Sequence, residues 1–393
     1  MRGHPVTAMH PDQYDHPAGL YLHIPFCVAK CGYCAFTSYP CGHAPPPAYL
    51  DALRQQAEQL ARHPMVCERR FSTLFVGGGT PTVYGGAELG GLIRECLTLF
   101  SFEPGAEVTV EANPNSVDLQ KLTALREAGV NRLSLGVQAF SDRLLRGIDR
   151  SHSLAEALAA VAAARSAGFV NLNLDLIYGL PDQSLADWQE SVAIALAQGP
   201  EHLALYGLSV EEGTPFHVRA ERGELHLPDE ETVQAMEEFA YGQLASAGLP
   251  RYEISNFARP GLRSRHNENY WHNGNYLGLG AAAVSCLDHL RFRQVSEPER
   301  FVKLVGEATP PFIEMEALPP AAAFRETVIM ALRMLDGIAV AELAARFGVT
   351  PQAYYGETFV RLQGQGLLTV ADGFLRLTAK ALPVANQVLA ELV

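Results

Sequence analysis

The sequence has no uninterrupted apolar stretch near the roughly 18 residues that a membrane-spanning helix needs. Its beginning, "MRGHPVTAMHPDQYDHPAG", has no apolar core of the kind a secretion signal carries. Neither a membrane span nor export is expected, and the chain is read as cytoplasmic. Basic residues are scarce relative to acidic ones, 30 against 43, which leaves a formal charge of -13. That is the wrong sign for general attraction to nucleic acid or an anionic membrane. Cysteine is also scarce: seven residues, an odd number unevenly spread, argue against a disulfide framework and for metal or thiol chemistry. Cys67, Cys96 and Cys286 read most simply as small buried residues. No internal repeat and no low-complexity tract is present.

What is present is a rhythm. From about residue 18 to 212, β-rich runs ("GLYLHI", "STLFVGGG", "EVTVEAN", "VNRLSLGV", "FVNLNLDLIYG", "HLALYGLSV") alternate with helical patterns. Strand then helix, repeated about six times, predicts a parallel sheet or barrel. Capping signals support the helices: Ser153 with Glu156, Ser184 with Asp187, and glycine at 168 and 199. Glu111, Gln138 and Asp175 recur near the carboxyl ends of strands, where parallel α/β folds bind ligands; the plain alternative is that each caps a following loop. Beyond 212 come a charged helix opened by Asp229, a Gly/Asn/aromatic block, and a proline-rich join near "GEATPPFIEMEALPP". The end of the chain reads as helix, turn, helix and a hairpin turning at Asp372-Gly373, a winged-helix pattern. Its candidate recognition helix, "PQAYYGETFVRLQGQ", has one arginine and one glutamate, too little positive charge for phosphate contacts, so no nucleic-acid partner is expected.

The chemistry-bearing cluster is "CVAKCGYC", with Cys27, Cys31 and Cys34. Three thiolates can serve zinc only if Cys41 or His43 becomes a fourth ligand, in an unusual spacing. They can equally hold three corners of a [4Fe-4S] cube and leave one iron open. Gly32 is expected to permit positive φ in the loop, and Lys30 to set a cation beside an anionic cluster.

Motifs in a fixed order extend this loop over nearly the whole chain: "LYLHIPF" before it, then "GGGTP" from Gly77 to Pro81, "EANP", "GVQAF" and "NLDLIYGLP". Together they resemble the radical S-adenosylmethionine (radical SAM) enzymes of the branch that contains anaerobic coproporphyrinogen III oxidase. The resemblance implies an α/β fold: a partial (β/α)6 TIM-like radical SAM barrel over 18-235, after an N-terminal tail over 1-17. An α+β extension over 236-308 and a small winged-helix-like C-terminal domain over 309-393 would follow.

It also implies cofactors, a [4Fe-4S] cluster and S-adenosyl-L-methionine. In such enzymes an electron from the cluster cleaves the cofactor's C5′–S bond to give a 5′-deoxyadenosyl radical, so the protein's part is binding and orientation. Carried over by motif, Cys27, Cys31 and Cys34 would ligate the cluster, and Tyr21 and Tyr33 would line the cofactor site. Gly78, Gly79 and Thr80 would offer backbone groups to the methionyl amine, although "GGGTP" by itself is also a plain βα turn. Glu111 and Gln138 would hydrogen-bond the ribose or amine, and Arg150 would pair with the methionyl carboxylate. Asp175 and Ile177 would lie near the nucleoside.

Two features distinguish subfamilies. The oxidases continue the loop as CxxxCxxCxC, whereas this chain has Phe36 at that point. "HNENYW", His266 to Trp271, resembles the HNxxYW motif of the HemW heme chaperones, in which the histidine is a heme contact. That points to His266, with His272 and His289 as nearby competitors; the plain alternative is a polar loop with Tyr270 and Trp271 as core aromatics. The "GxGAH" stretch familiar in such proteins is altered here to "GLGAAAVSC". The expected function is a heme chaperone, with heme as cargo for a recipient such as a respiratory cytochrome or other respiratory membrane enzyme. Heme delivery would bring it peripherally to the membrane, and flavodoxin or ferredoxin would supply electrons. The alternatives are coproporphyrinogen III oxidation, another radical reaction on a tetrapyrrole such as methyl transfer, and a structural zinc protein.

Overall fold

The computed structural model describes residues 16–393. All but the last two residues of the expected tail over 1-17 therefore lie outside the described residues. Six strands, β1 (Ala18–Ile24), β2 (Arg70–Gly78), β3 (Ser101–Ala112), β4 (Arg132–Gln138), β5 (Leu172–Tyr178) and β6 (His202–Gly207), run side by side and parallel. Between them lie α1 (Pro47–Ala61), α2 (Gly86–Leu99), α3 (Leu119–Glu127), the short α4 (Asp142–Gly147), α5 (Leu154–Ser166) and α6 (Leu185–Ala197). Ser153 and Ser184 cap α5 and α6 through reciprocal bonds with Glu156 and Asp187, satisfying N–H groups that a helix start leaves unpaired.

Strand alternation sorts the residues of this sheet by polarity. One face carries Leu20, Leu22, Leu74, Val76, Val110, Leu133, Leu135, Leu172 and Leu174, all fully buried in a core shared with the helices. Burying each such side chain contributes about 1.5–3 kcal/mol. The other face is mostly polar, with a few aromatic and aliphatic side chains such as Phe75 and Ile177. Phe75 lies opposite Thr109, which lies opposite Arg132; Glu111 lies opposite Ser134, which lies opposite Asn173. Polarity therefore extends along the inner face and is not confined to the strand ends.

The sheet continues on both sides. After α7 (Pro215–Glu221) and α8 (Glu230–Ser246), β7 (Asn256–Ala258) pairs antiparallel with β6. Then α9 (Arg265–Trp271) leads to β8 (Tyr276–Leu279), which returns beside β1 in parallel. Antiparallel β9 (Val284–Leu287), β10 (Leu290–Gln294) and β11 (Phe312–Ala317) complete an 11-stranded sheet. The HNENYW segment is thus helical and not a loop, because the Ser264 hydroxyl caps it by accepting from the Asn267 N–H.

A second core gathers residues of the C-terminal part, among them Phe324, Leu343, Phe347, Phe359, Leu362 and Leu375. Helices there precede the hairpin Leu368–Ala371 and Phe374–Leu377, whose turn residues Asp372 and Gly373 both have positive φ. The stretch expected as one recognition helix is two, Pro351–Tyr355 and Glu357–Gly364, broken where Gly356 takes φ 51°. Among the described residues no helix is long and apolar enough to cross a membrane. Cys96 and Cys286 are buried as expected, but Cys67 is exposed in the turn that follows α1.

Candidate functional site

Where β1 to β6 end, the loops enclose a cavity of about 620 Å³. Cys27, Cys31 and Cys34 share its wall with Tyr33, Gly78, Gly79, Thr80, Glu111, Gln138, Arg150, Asp175 and Ile177. Residues expected to hold cluster and cofactor, spread from 27 to 177, thus meet at one place. Tyr21 is the exception. It lies one layer deeper, in a smaller cavity of about 290 Å³ that shares Glu111, Ser134, Asp175 and Tyr206 with the larger one. Its hydroxyl is 2.9 Å from His23 Nδ1.

The three thiols are free, with no disulfide among them. Cys27 Sγ accepts from the Thr80 hydroxyl at 3.6 Å, and Cys31 Sγ from the Arg150 guanidinium at 3.5 Å. Burial raises the Cys27 thiol, with Thr80 and Ser38 acting against it. Cys41 stands off this wall: its backbone bonds back to Cys27, and its thiol faces the Gly42 carbonyl. Among the described residues no three or more His, Cys, Asp or Glu side chains are set to hold a single metal ion. A cube differs in meeting each thiolate at a separate iron.

Gly32 does not take the positive φ expected of it. Glycine is required there by close approach, since a Cβ would fall 2.6 Å from Asp149 Oδ2 and 2.8 Å from the Phe216 ring. Lys30 bonds the Phe36 carbonyl at 3.0 Å, tying off the loop. The Phe36 side chain is 72% exposed at the cavity's rim.

In the "GGGTP" turn, Gly78 has φ 114°, and a Cβ on Gly79 would fall 2.5 Å from the Phe26 carbonyl oxygen. The N–H groups of Gly78, Gly79 and Thr80 are already committed to Glu111, Ile24 and Phe26. What this turn has left for an ammonium group is carbonyl oxygen, the correct polarity for a methionyl amine.

Arg150 is half-buried, with its Nε out of reach of solvent. One guanidinium nitrogen donates to Asn113 Oδ1 (2.7 Å) and the Gly136 carbonyl (2.5 Å), while its Nε has no partner. Burial works against its charge, yet Tyr33 and the Cys31 and Cys27 thiols hold its proton more firmly than usual. An unpaired buried guanidinium N–H beside three thiols fits an anionic occupant. Glu111, half-buried between the two cavities, is pushed up to about 7, first by desolvation and then by Asp175. Burial raises Asp175 too, against bonds from Asn173 and Ser134. Gln138 sits at a bulge with φ 66°, a conformation that side-chain-bearing residues rarely adopt and that points to a functional constraint.

His266 is placed differently from an open iron ligand. It is 1% exposed and stacks on Phe75, with ring centroids 5.0 Å apart. Its Nδ1 lies 2.7 Å from Thr73 Oγ1 and its Nε2 3.0 Å from the Tyr270 hydroxyl. Desolvation pushes it down to about 3, so the ring is neutral. The helix cap at Ser264 turns this residue inward, and ligation through Nε2 requires Tyr270 to let go. Tyr270 also lines the inner cavity, while Trp271 packs under the Arg333 guanidinium. His272 is partly buried, and His289 sits in the β9–β10 turn with positive φ.

Three contributors escaped sequence reasoning. Asn113 links Arg150 to the Thr80 hydroxyl, and its position inside "EANP" was the available signal. Arg132 was visible as a lone charge in the apolar run "NRLSLGV", and Tyr206 had no sequence signal.

Against known families, residues 21–195 match the Radical SAM superfamily and residues 318–384 the HemN C-terminal domain. A heme chaperone HemW of Mycobacterium tuberculosis is 37% identical over 371 residues, covering 92% of this chain and 94% of that protein. The HemW of Bacillus subtilis is 34% identical, covering 94% and 97%. Among solved structures, the coproporphyrinogen III oxidase HemN of Escherichia coli superposes with a TM-score of 0.83 at 25% identity, covering 98% of this chain and 92% of that one.

Proposed function

The chain belongs to the HemW heme chaperone family of the radical SAM superfamily, and from that premise we propose how its residues divide the work. Cys27, Cys31 and Cys34 hold a [4Fe-4S] cluster, and the remainder of the larger cavity holds S-adenosylmethionine. When bound, this pair supplies one-electron cleavage of the sulfonium. The protein's own groups orient and screen. Arg150 sets positive charge against the thiolates and the methionyl carboxylate. Carbonyl oxygens of the "GGGTP" turn and Glu111 take the amine, and Gln138, Asp175 and Ile177 bound the nucleoside. Heme is cargo, taken up near α9 and passed to a recipient protein, for which a respiratory membrane enzyme is the proposed class. Flavodoxin or ferredoxin is the proposed electron donor, reaching the cluster past the exposed Phe36.

The observation that supports this most directly is the convergence of three free thiols and nine further motif residues on one cavity, with phenylalanine where the oxidases have a further cysteine. Anaerobic reconstitution should give a reducible cluster whose EPR signal changes when S-adenosylmethionine is added. The protein should also bind hemin and release it to an acceptor apoprotein. An unchanged EPR signal, with zinc found by metal analysis, would overturn the cofactor assignment. The fold's likeness to the oxidase favours one rival. Appearance of protoporphyrinogen IX from coproporphyrinogen III would establish oxidase chemistry instead.

A further inference from the structure

The inner cavity holds a cation that the site described so far does not use. Arg132, on the inner face of β4, is 2% exposed and lines this cavity of about 290 Å³. Its Nε is buried with no hydrogen-bond partner. Among the described residues no carboxylate comes within ion-pair distance of its guanidinium; Glu111 and Asp175 act on it only from farther away. A buried guanidinium without hydrogen bonds is costly unless an occupant completes it. Its cross-strand neighbour Thr109 and the cavity's Asn256 make no bond to it, their Oγ1 and Oδ1 being buried and unpartnered, and the other acceptors nearby are engaged elsewhere. Asp175 accepts from Asn173 and Ser134, Glu111 from the Gly78 N–H, and the Asn173 carbonyl oxygen from His202.

The cavity is shaped for part of a ligand and not for a whole macrocycle. Its volume suits a short polar arm, and its wall is completed by Tyr270 and Asn267 of α9 and by Tyr206 of β6. Tyr206 is 42% exposed, so one residue joins the cavity's interior to the surface. Burial and Asp175 keep Glu111 largely protonated below neutrality, so this wall is less anionic than two carboxylates suggest.

We propose that Arg132 is the anchor for a carboxylate arm of the tetrapyrrole, a propionate that enters the inner cavity while the ring system stays at the mouth beside Tyr206 and α9. A planar guanidinium fork matches a carboxylate with two parallel hydrogen bonds, and burial makes that pairing selective. This rests on the heme-binding reading above and adds to it a specificity-determining residue. S-adenosylmethionine also bears a carboxylate, and the test separates the two sources.

Cluster-loaded protein is titrated with hemin and with hemin dimethyl ester, in which both carboxylates are masked, and binding is followed in the Soret band. The ester should bind the parent protein at least tenfold more weakly than hemin. R132Q should lose about the same factor for hemin and no longer distinguish the two, while R132K recovers part of the difference. The EPR response of R132Q to S-adenosylmethionine should match the parent's. Equal binding of hemin and ester by the parent overturns the inference and leaves heme binding intact, and it requires no variant to fold. Loss of the S-adenosylmethionine response in R132Q, with hemin discrimination kept, overturns it by assigning Arg132 to the cofactor. A parent protein that binds no hemin overturns this inference and the heme-binding reading together.

Discussion

Replacing Glu111 with glutamine should stabilise the protein near pH 8 and do progressively less as the pH falls. Glu111 is half-buried between the two cavities, and its carboxyl is pushed from 4.5 up to about 7 by desolvation and by Asp175. Below about 4.5 it is protonated in folded and unfolded chains alike. Between about 4.5 and 7 the unfolded chain releases the proton and the folded one keeps it, so stability falls as pH rises. Above about 7 the loss is complete. At about 1.4 kcal/mol for each tenfold change in a proton equilibrium, the whole span costs about 3 kcal/mol, and about 2 to 3 kcal/mol of it falls between pH 5 and pH 8. Glutamine can still accept the Gly78 N–H and brings no charge. Urea unfolding of cluster-free parent and Glu111→Gln proteins at both pH values gives the difference directly, and groups common to both largely cancel. A gap that is the same at pH 5 and pH 8 would refute the reasoning. The destabilising charge should be what the cofactor's ammonium requires, so the more stable variant should bind S-adenosylmethionine more weakly, as expected where stability is given up for function.

Gly79→Ala should cost about 1–3 kcal/mol, read as a lower Tm, because its Cβ would meet the Phe26 carbonyl oxygen at 2.5 Å. Gly147→Ala, with nothing within 4 Å, should be neutral or slightly stabilising and serves as the control. Tyr270→Phe removes the bond that occupies His266 Nε2; if that nitrogen binds heme iron, hemin affinity should rise about 2- to 10-fold, the worth of one hydrogen bond, whereas His266→Ala should lower it. Unchanged affinity in both variants would exclude His266 as the ligand. Cys41→Ser should retain full iron and sulfide on reconstitution, since Cys41 lies off the cavity wall, whereas Cys34→Ser should lose the cluster.

The features legible in the sequence were those that local chemistry governs. Ser153 and Ser184 announced their helices because a cap needs only a hydroxyl and a carboxylate three residues on. The order of motifs likewise announced a site, because in a parallel sheet every strand delivers its carboxyl end to the same side. Where readings failed, the reason was non-local. Gly32 looked like a residue needed for its φ, yet Asp149 and Phe216, more than 100 residues away, are what exclude a side chain. Cys67 has the composition of a core residue but stands in an exposed turn.

By itself, the sequence determined the strand–helix alternation and the three-thiol loop, and the order of its motifs, with Phe36 and "HNENYW", carried the resemblance to the family. Spacing and capping act over a few residues and are written directly into the chain. The tertiary structure alone decided which groups are free to act. It closed both nitrogens of His266 with Thr73 and Tyr270, put Tyr21 a layer below the thiols, moved Cys41 off their wall, and left Arg132 buried without a partner. Availability depends on desolvation and on partners drawn from distant strands. Those partners meet only when the sheet has assembled and the helices have covered its apolar face.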